Sequence, residues 1–336
     1  MLARGHAVTG LVNRMREVRG NDGRLLPARA WDGGAAEPGT LRLIAGDVAQ
    51  ERFGWSADRW REVARTQDVV LHCAAVTQFD APRALHEAVN IEGTGRVLAL
   101  AREGGCRLVH VSTAYVCGIR DGSVAEAPRD EHFPFANGYE ESKARAEALV
   151  RGSDVPAAIA RPSVVVGEWA SGAIRDFDTI YAAFRLIAEG RVRTLSARAE
   201  ATIDFVPIDH VAGGLTDLLE YVEVAAGRVF HLVSGAPVPV GAFRDAIARQ
   251  PQFAAPMLVE PAAFDPAALS APERRLHARV AGLYGSYFQR APRFEDANLR
   301  ALTGRRCPPT DAAFLDRLIG YGIDAGYLPT PVRETA

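Results

Sequence analysis

The sequence has few of the residues that mark disulfide-rich, zinc-binding or lysine-rich proteins. Its four cysteines, Cys73, Cys106, Cys117 and Cys307, form no CxxC pair and no Cys/His cluster with zinc-like spacing. The eight histidines are scattered along the chain. We therefore expect buried thiols in a reduced compartment and no metal site. Arginine supplies almost all of the 39 basic residues, so lysine deserves individual attention.

Long hydrophobic runs and a strong charge of either sign are also missing. No apolar run approaches the ~20 residues that span a bilayer, and no basic-then-apolar leader opens the chain. The formal net charge of -2 gives no electrostatic reason to expect a nucleic-acid partner. We expect a cytoplasmic protein without a membrane span. Nothing in the composition fixes its oligomeric state.

The first half alternates apolar strands with amphipathic helices. Such alternation predicts an α/β fold with a parallel, doubly wound sheet. Strands are predicted at 7–12, 41–48, 68–75, 106–116 and 155–167. The third is apolar almost throughout, as is typical of a strand that is buried on both faces. A helix is predicted after a Ser56 cap, and the Gly/Pro-rich stretch 20–39 is predicted to be a surface loop.

In the second half the alternation of strands and helices continues for two segments and then ends. Residues 202–222 read as a strand-like segment and a helix, and 228–234 as a strand. Beyond 236 the chain is richer in proline and aromatics and favours helices. This change predicts a sheet domain over 1–167, to which 202–235 returns, and a smaller, mostly helical region over 168–201 and 236–336; the family resemblance given below implies that the first binds a dinucleotide in a Rossmann-type fold and that the second binds substrate.

Tyr139 and Lys143 are the most informative pair of residues. Their spacing places both side chains on one face of a helix, about one turn apart. A lysine cation favours the phenolate and lowers the tyrosine pKa, which would make the pair a general acid–base. The same spacing also occurs in ordinary exposed helices, so the pair alone leaves that alternative open.

Neighbouring segments supply a context for this pair. The strand "LVHVST" ends in Ser112 and Thr113, and the carboxyl ends of parallel strands face the ligand crevice of an open α/β sheet. The strand "DVVLHCAA" ends in the small residues Ala74 and Ala75, which let a flat ligand approach the backbone. Asn90 lies inside a predicted helix, where asparagine is unfavourable unless it bonds a neighbouring backbone.

Seven motifs in order resemble those of the extended short-chain dehydrogenase/reductases. They are "GDV", "LHCAAVTQF", "VNIEGT", "VHVSTAYVCG", "YEESKARAE", "RPSVVVGE" and "IDFVPIDHVA", and they cover about residues 1–235. "AAVTQF", "RPSVVVGEWASG" and "DFVPIDHVA" are similar to the branch of thioester reductases and fatty-acyl reductases of the male-sterility type. The resemblance implies a Rossmann-type fold and NAD(P)-dependent oxidoreductase activity.

The resemblance also implies a role for each motif residue. Tyr139 would protonate the substrate oxygen, and Lys143 would lower the tyrosine pKa and hold the nicotinamide ribose. Thr113 would hydrogen-bond the substrate oxygen, and Asn90 would support the active-site backbone or a water. The cofactor would lie along Asp47, Val48, Ala74, Ala75, Val76, Ser112, Pro162 and Val165, and the substrate side would begin at Ser163 and the segment 169–178.

The second predicted strand bears on the choice of cofactor. In dinucleotide-binding domains, an acidic residue at the end of this strand binds the ribose 2′-hydroxyl, whereas a nearby arginine accommodates a 2′-phosphate. Here the strand ends in "LVNRMR", which has no carboxylate but offers Arg14 and Arg16. The sequence therefore favours NADP(H) over NAD(H), unless these arginines are solvated loop residues.

The opening "MLARGHAVTGLVNR" resembles the family's first-helix end and second strand. No glycine-rich strand–turn–helix of the dinucleotide-binding kind occurs in the opening residues. We expect the first strand and glycine loop to be lacking, and the chain as written to bind dinucleotide weakly or not at all. Three explanations account for the missing segment: a misassigned start or a truncation, a decayed gene, or a fold that is retained for a new use. The intact catalytic motifs favour a misassigned start or a truncation.

The leading hypothesis is an NADPH-dependent reductase of an acyl thioester, CoA-linked or carrier-bound, or of the derived aldehyde. A nucleotide-sugar epimerase or dehydratase is an alternative, because Arg274, Arg275 and Arg279 could hold a diphosphate. A hydroxysteroid-type dehydrogenase is a third possibility. The non-enzymatic alternative is a cofactor-deficient scaffold protein.

Overall fold

The computed structural model describes residues 1–13, 17–34, 36–178 and 180–330. Two compact units share these residues. The first comprises 1–116, 138–161 and 213–230, and the second comprises 117–137, 162–212 and 231–336. These units differ from the predicted domains because 117–137, 162–167, 202–212 and 231–235 fall in the second unit.

The strands of the described residues are mostly short. They are β1 (Val8–Val12), β2 (Arg29–Ala30), β3 (Leu41–Ala45), β4 (Val69–His72), β5 (Arg107–Val111), β6 (Gly122–Val124), β7 (Ala157–Pro162), β8 (Val164–Val166), β9 (Thr194–Ser196), β10 (Thr202–Ile203), β11 (Phe205–Pro207), β12 (Val229–Leu232), β13 (Val238–Pro239), β14 (Met257–Val259) and β15 (Pro292–Phe294).

The helices alternate with the strands in the first half and dominate the last hundred residues. They are α1 (Ala57–Arg65), α2 (Arg83–His86), α3 (Glu92–Gly104), α4 (Gly138–Arg151), α5 (Ile180–Ala188), α6 (Ile208–Glu220), α7 (Val222–Ala225), α8 (Val240–Ala248), α9 (Ala271–Tyr284), α10 (Ala297–Thr303) and α11 (Ala312–Asp324). A π-helical turn, Glu87–Ile91, joins α2 to α3.

Two parallel ladders form the sheet framework of the first unit. One has the order β1-β3-β2, and the other the order β12-β7-β5-β4, in which β4, β5 and β7 run parallel. In the described residues β1 pairs only with β3, and β4 only with β5, so each has one open edge. The expectation that β4 is buried on both faces is wrong, since Leu71 is 37% exposed beside this open edge.

Local sequence signals account for several elements of the first unit. The Ser56 side chain accepts a hydrogen bond from the Arg59 amide, which caps α1 as predicted. Gly5 adopts a φ of 83° and ends the opening turn, a conformation that glycine reaches without steric cost. Helices α1 and α3 pack on the sheet through Trp60, Val97 and other buried apolar residues. Burial of this face is what stabilises these short elements.

The second unit has a separate hydrophobic core. Short two-stranded ladders, β8-β11, β9-β14, β10-β13 and β6-β15, accompany the helices. Phe184 and Phe243 stack edge to face at 4.3 Å between ring centroids within this core. Gly172 lies against α11 so closely that a Cβ atom would come within 2.4 Å of the Arg317 carbonyl oxygen. The segment 167–173 therefore packs directly on helix backbone.

Most predicted elements are present with shorter bounds. The predicted loop 20–39 contains the two-residue strand β2, which pairs with β3. No helix of the described residues is long and apolar enough to cross a membrane. Within that same part of the chain no group of three or more His, Cys, Asp or Glu residues could hold a metal ion.

Candidate active site

Helix α4 presents a row of ionisable side chains at four-residue spacing. Tyr139, Lys143 and Glu147 lie on one helix face, as the sequence pattern predicts for the first two. Tyr139 is half-buried, while Lys143 is 2% and Glu147 1% exposed. The alternative of an ordinary exposed helix pair is thereby excluded, because this face points into the protein.

Burial sets the properties of Lys143. Loss of solvent around the ammonium group lowers its pKa from 10.5 to about 8, although the nearby Glu147 carboxylate and Cys73 thiol act in the opposite direction. A lysine with such a pKa carries a cation at neutral pH but releases its proton more readily than a solvated lysine does. That behaviour suits a residue that works beside a general acid.

Tyr139 differs from the expectation drawn from spacing alone. Burial raises the pKa of its hydroxyl above the ordinary value of 10.0, and the adjacent Glu140 carboxylate raises it further. The expected lowering by Lys143 is not seen, because burial and the Glu140 charge both raise the pKa of the tyrosine. At neutral pH the Tyr139 hydroxyl is therefore protonated and can donate a hydrogen.

A buried ion pair fixes the far end of the same helix face. Arg161 on β7 donates two hydrogen bonds to Glu147, Nε to Oε1 at 2.8 Å and Nη2 to Oε2 at 2.7 Å. Arg151 donates a third at 2.8 Å. Burial alone would raise the pKa of Glu147, but the bonds from Arg161 outweigh it and lower that pKa. This pair ties α4 to the sheet.

Asn90 cross-links the loop after β4 to the first turn of α4. Its Oδ1 accepts from the Val76 amide at 2.8 Å, and its Nδ2 donates to the Val76 carbonyl at 3.0 Å and to Ser142 Oγ at 2.8 Å. Ser142 Oγ in turn donates to the Tyr139 carbonyl at 2.8 Å. A mid-helix asparagine in a π-helical turn thus positions the backbone that carries Tyr139.

Ser112 and Thr113 follow β5 and are buried. The Ser112 amide donates to the Ala160 carbonyl at 2.7 Å and extends the ladder with β7. Thr113 Oγ1 accepts from the Tyr115 amide at 3.3 Å. This bond uses a lone pair of Thr113, so its hydroxyl hydrogen remains available for donation.

The residues predicted to line a cofactor groove lie at the carboxyl ends of two parallel strands. Ala74 is exposed and Ala75 and Val76 are half-buried after β4. Asp47 and buried Val48 follow β3. The Asp47 amide donates to the carbonyl of Phe53, which has a left-handed φ of 58°. The turn after β3 is thus fixed by a strained residue, a feature that clusters at functional sites.

Other predicted residues fall elsewhere. Pro162 and Val165 belong to the second unit, as do Ser163 and the segment 169–178. Arg14 and Arg16 lie outside the described residues. In the second unit Arg274 donates to the carbonyls of Ala267 and Leu269, each at 2.9 Å. The side chain of Arg279 lies outside the described part of the chain.

The second unit contains its own buried polar cluster. Asp204 accepts from Ser163 Oγ, from the Ser234 amide at 2.8 Å and from Ser234 Oγ at 2.8 Å. Burial raises the pKa of Asp204, and the serine bonds act in the opposite direction. Asp204 and Ser163 stand in the motifs "IDFVP" and "RPSVV", so this cluster joins two motif segments.

Sequence reasoning did not identify several buried polar residues of the first unit. Glu147 continues the four-residue spacing of Tyr139 and Lys143, and its position could have been read from that periodicity. His72 and His110 stand near the ends of apolar strands, where a polar residue is unusual. The partners Arg161, Thr94 and Ser142 give no local signal, because their contacts depend on chain segments brought together by folding.

Comparison with protein families gives one clear match. A model of the male sterility protein family matches residues 26–215. Among curated proteins, a subunit of linear gramicidin synthase from Brevibacillus parabrevis is 30% identical over 214 residues, which is 61% of this chain and 4% of that protein. Aldehyde reductase lnaA of Aspergillus flavus is 27% identical over 206 residues, 57% of this chain and 20% of that protein.

A solved structure is similar in fold over a larger part of this chain. The terminal R domain from the myxalamid PKS-NRPS biosynthetic pathway superposes with a TM-score of 0.73 at 23% identity, covering 87% of this chain and 77% of that one. The chain spans a fifth or less of the two curated relatives. Likeness at this identity establishes the Rossmann-type α/β fold.

Proposed function

The chain belongs to the male sterility protein family of NAD(P)-dependent reductases, and on this premise we propose that it reduces an acyl thioester or the derived aldehyde with NADPH. The relatives suggest this substrate class, since one is an aldehyde reductase and another belongs to linear gramicidin synthase. A carrier-bound or CoA-linked acyl group is the proposed substrate, and Thr113, Tyr139, Lys143 and Asn90 are the proposed site residues.

The observation that carries the proposal is the buried face of α4. Lys143 is almost sealed from solvent beside half-buried Tyr139, and Asn90 holds the helix turn that carries the tyrosine. A structural helix of this kind has no need of a buried lysine, because an unpaired buried cation is destabilising. A general acid with a nearby cation, in contrast, requires one.

Each residue has a defined task in reduction of a carbonyl. The Tyr139 hydroxyl, protonated at neutral pH, donates its proton to the substrate oxygen. The Thr113 hydroxyl donates a hydrogen bond to the same oxygen and stabilises its developing negative charge. The Lys143 ammonium would hold the ribose of the nicotinamide cofactor. When bound, the nicotinamide cofactor supplies the hydride.

The described residues fit the nicotinamide half of such a cofactor. Ala74 and Ala75 place only methyl groups at the end of β4, so a flat ring can approach the backbone. The Lys143 side chain is 2% exposed and belongs to the same helix face as Tyr139, and its ammonium group is proposed to bind a ribose hydroxyl. NADP(H) is proposed over NAD(H) because Arg14 and Arg16 follow β1 in the sequence and no carboxylate stands beside them, and initial rates with NADPH and NADH test that preference.

Substrate-dependent oxidation of NADPH tests the proposal. We would incubate the chain with NADPH, up to millimolar so that weak binding does not hide activity, and with acyl-CoA, an acyl-carrier thioester or an aldehyde. Loss of NADPH absorbance with one of these is expected, and the Tyr139→Phe variant should not show it.

Other outcomes would overturn it. Conversion of a UDP-sugar without thioester or aldehyde reduction would favour an epimerase or dehydratase. Steroid oxidation would favour a hydroxysteroid-type dehydrogenase. Absence of turnover together with absence of dinucleotide binding in calorimetry would favour a scaffold protein. The diphosphate site of an epimerase gains no support from Arg274, because that side chain already binds backbone carbonyls.

A further inference from the structure

His86 belongs to the hydrogen-bond network that supports Tyr139, although the site residues proposed above do not include it. It is the last residue of α2, stands one helical turn before Asn90 and is 3% exposed. Its Nδ1 atom lies 3.2 Å from Asn90 Nδ2. This contact joins a buried imidazole to the amide that holds the first turn of α4.

The Val76 backbone fixes the orientation of the Asn90 amide. Oδ1 accepts from the Val76 amide at 2.8 Å, and Nδ2 donates to the Val76 carbonyl at 3.0 Å. Exchanging the oxygen and nitrogen of the side chain would set donor against donor and acceptor against acceptor. The Asn90 atom that faces His86 is therefore the nitrogen, which donates two hydrogens and accepts none.

This orientation decides which nitrogen of the His86 ring carries the proton. An Nδ1–H group would point at the amide hydrogens of Asn90, whereas an Nδ1 lone pair accepts one of them. In the neutral ring the proton then belongs to Nε2. Burial lowers the pKa of His86 below its ordinary value of 6.5, and the Gln78 backbone acts in the opposite direction. The ring is therefore neutral at neutral pH.

The same Asn90 nitrogen reaches the turn that carries Tyr139. It donates to Ser142 Oγ at 2.8 Å, and Ser142 Oγ uses its own hydrogen on the Tyr139 carbonyl at 2.8 Å. Nδ2 thus has two hydrogens for three acceptors, which are the Val76 carbonyl, Ser142 Oγ and His86 Nδ1. His86 shares a hydrogen with one of the other two and restrains the amide from a third direction.

We propose that His86 is a positioning residue of the reductase site, whose neutral ring accepts a hydrogen bond from Asn90 and so holds the amide that supports the Tyr139 turn. Protonation of the ring would replace this acceptor by an N–H group that opposes the amide hydrogens. Asn90 would then lose the orientation in which it contacts Val76 and Ser142. The site works in the neutral state of His86 and fails in the charged one.

The charged groups around His86 are balanced. Those that line one cavity with it, on its own chain segment and on α4, are Arg83, Glu87, Glu141 and Arg145. Arg145 lies 3.2 Å from Glu87, and Arg83 lies 3.8 Å from Glu87 and 3.9 Å from Glu141. The loop after β4 contributes Phe79 and Ala81, which carry no charge. On mild acidification, proton uptake by His86 itself is therefore the change that we expect to matter.

Histidine NMR tests the state of the ring without any need for turnover. The protein is isotopically labelled in its histidine rings, and the His86 signals are those that the His86→Asn variant lacks. At neutral pH we expect a neutral ring with its proton on Nε2. A proton on Nδ1, or a charged ring at neutral pH, would overturn the inference.

Three substitutions at this position test the link to catalysis. His86→Leu removes the acceptor, and we expect kcat to fall by about tenfold, the scale of one lost hydrogen bond, with an unchanged KM for NADPH. His86→Asn can place Oδ1 where Nδ1 stands and should restore most of kcat. His86→Gln is the matched control, because its carbonyl oxygen reaches the position of Nε2 instead, and it should resemble His86→Leu. The Asn and Gln pair carries the test if urea unfolding shows that His86→Leu is not folded.

The pH profile separates positioning from packing. In the wild-type protein, kcat/KM should fall below pH 6.5 as His86 takes up a proton, whereas His86→Asn cannot titrate and should keep its activity there. His277→Asn is the control. Burial lowers the pKa of that histidine too, but its ring stacks on Phe264 in the second unit, with 4.6 Å between centroids. It should retain the wild-type profile, and the same acid limb in His86→Asn would contradict the proposal.

The kinetic measurements rest on the proposed reductase function, whereas the NMR measurement does not. A ring with its proton on Nε2 but no turnover in the wild-type protein would refute the proposed function and leave the contact between His86 and Asn90 standing. Turnover in which His86→Asn is no better than His86→Gln would refute the inference alone.

Discussion

Two buried polar clusters, one in each unit, differ in how their hydrogen bonds are arranged. The Lys143 cluster comprises Lys143, His72 and His110, and it includes an imidazole with no partner among the described residues. The Asp204 cluster comprises Asp204, Ser163 and Ser234, in which both carboxylate oxygens accept hydrogen bonds. Both are nearly inaccessible to solvent.

The difference separates a stabilising cluster from a reactive one. A network in which every polar group is hydrogen-bonded raises the free energy of unfolding, because its bonds replace those with water. An incompletely bonded network lowers it and persists where its groups serve a ligand or a reaction. We therefore expect substitutions in the Asp204 cluster to act on stability and those around Lys143 to act on chemistry.

The largest effect should come from Tyr139→Phe. Removing the hydroxyl removes the general acid, and we expect kcat to fall by about 10²–10⁴-fold with little change in unfolding. Steady-state reductase assays and urea unfolding measure the two effects. Tyr221→Phe, at an exposed tyrosine of the same unit, is the matched control. Retained activity in Tyr139→Phe would show that the tyrosine is not the acid.

Asp204→Ala should give the largest loss of stability. The change leaves two serine hydroxyls and one amide without their acceptor, and we expect the free energy of unfolding to fall by about 3 kcal/mol. Urea denaturation measures it, with Asp324→Ala at an exposed position as the control. A loss below about 1 kcal/mol would mean that the network contributes no more than a single hydrogen bond.

The two clusters should respond to pH with opposite sign. Burial lowers the pKa of His72 from 6.5 to about 3. Its contribution to the free energy of unfolding is therefore complete above pH 6.5 and is lost as the pH falls toward 3. The Asp204 pKa is raised above 3.8, so its contribution is present at low pH and is lost as pH rises through the folded-state value.

Unfolding free energies measured across acidic pH separate these contributions. His72→Gln should flatten the fall in stability on acidification, because a tenfold change in proton affinity between the folded and unfolded states corresponds to about 1.4 kcal/mol. Asp204→Asn should instead remove the decline in the free energy of unfolding that accompanies a rise in pH. Identical pH curves for wild-type protein and His72→Gln would contradict a neutral buried ring at His72.

The smallest effect is expected from Ser234→Ala. It removes one hydrogen bond to Asp204 and should lower the free energy of unfolding by about 1 kcal/mol. Reductase turnover should not change, because the serine belongs to the Asp204 cluster. A fall in turnover at unchanged folding would contradict the distinction between the two clusters.

Local sequence patterns predicted a large part of the fold. The Ser56 cap, the strands Val8–Val12 and Leu41–Ala45 and the helix that carries Tyr139 follow from capping and periodicity. These signals are local, since each depends on residues within one or two turns. The order of motifs was also sufficient to identify the family.

Features that depend on distant contacts could not be predicted in the same way. The apolar run of β4 resembles a strand buried on both faces, but Leu71 is 37% exposed, so the face on which it lies is only partly covered. The Tyr139 pKa was expected to be lowered by Lys143, yet desolvation raises it. Spacing along a helix does not report how much solvent its face retains.

The sequence by itself determined the alternation of elements, the family and the positions of Tyr139, Lys143 and Asn90. The tertiary structure decided which polar groups meet: Asn90 with Val76 and Ser142, Glu147 with Arg161, and His72 with Thr94. The physical reason is that secondary structure follows from neighbouring residues, whereas burial and hydrogen-bond partners follow from segments that only folding brings together.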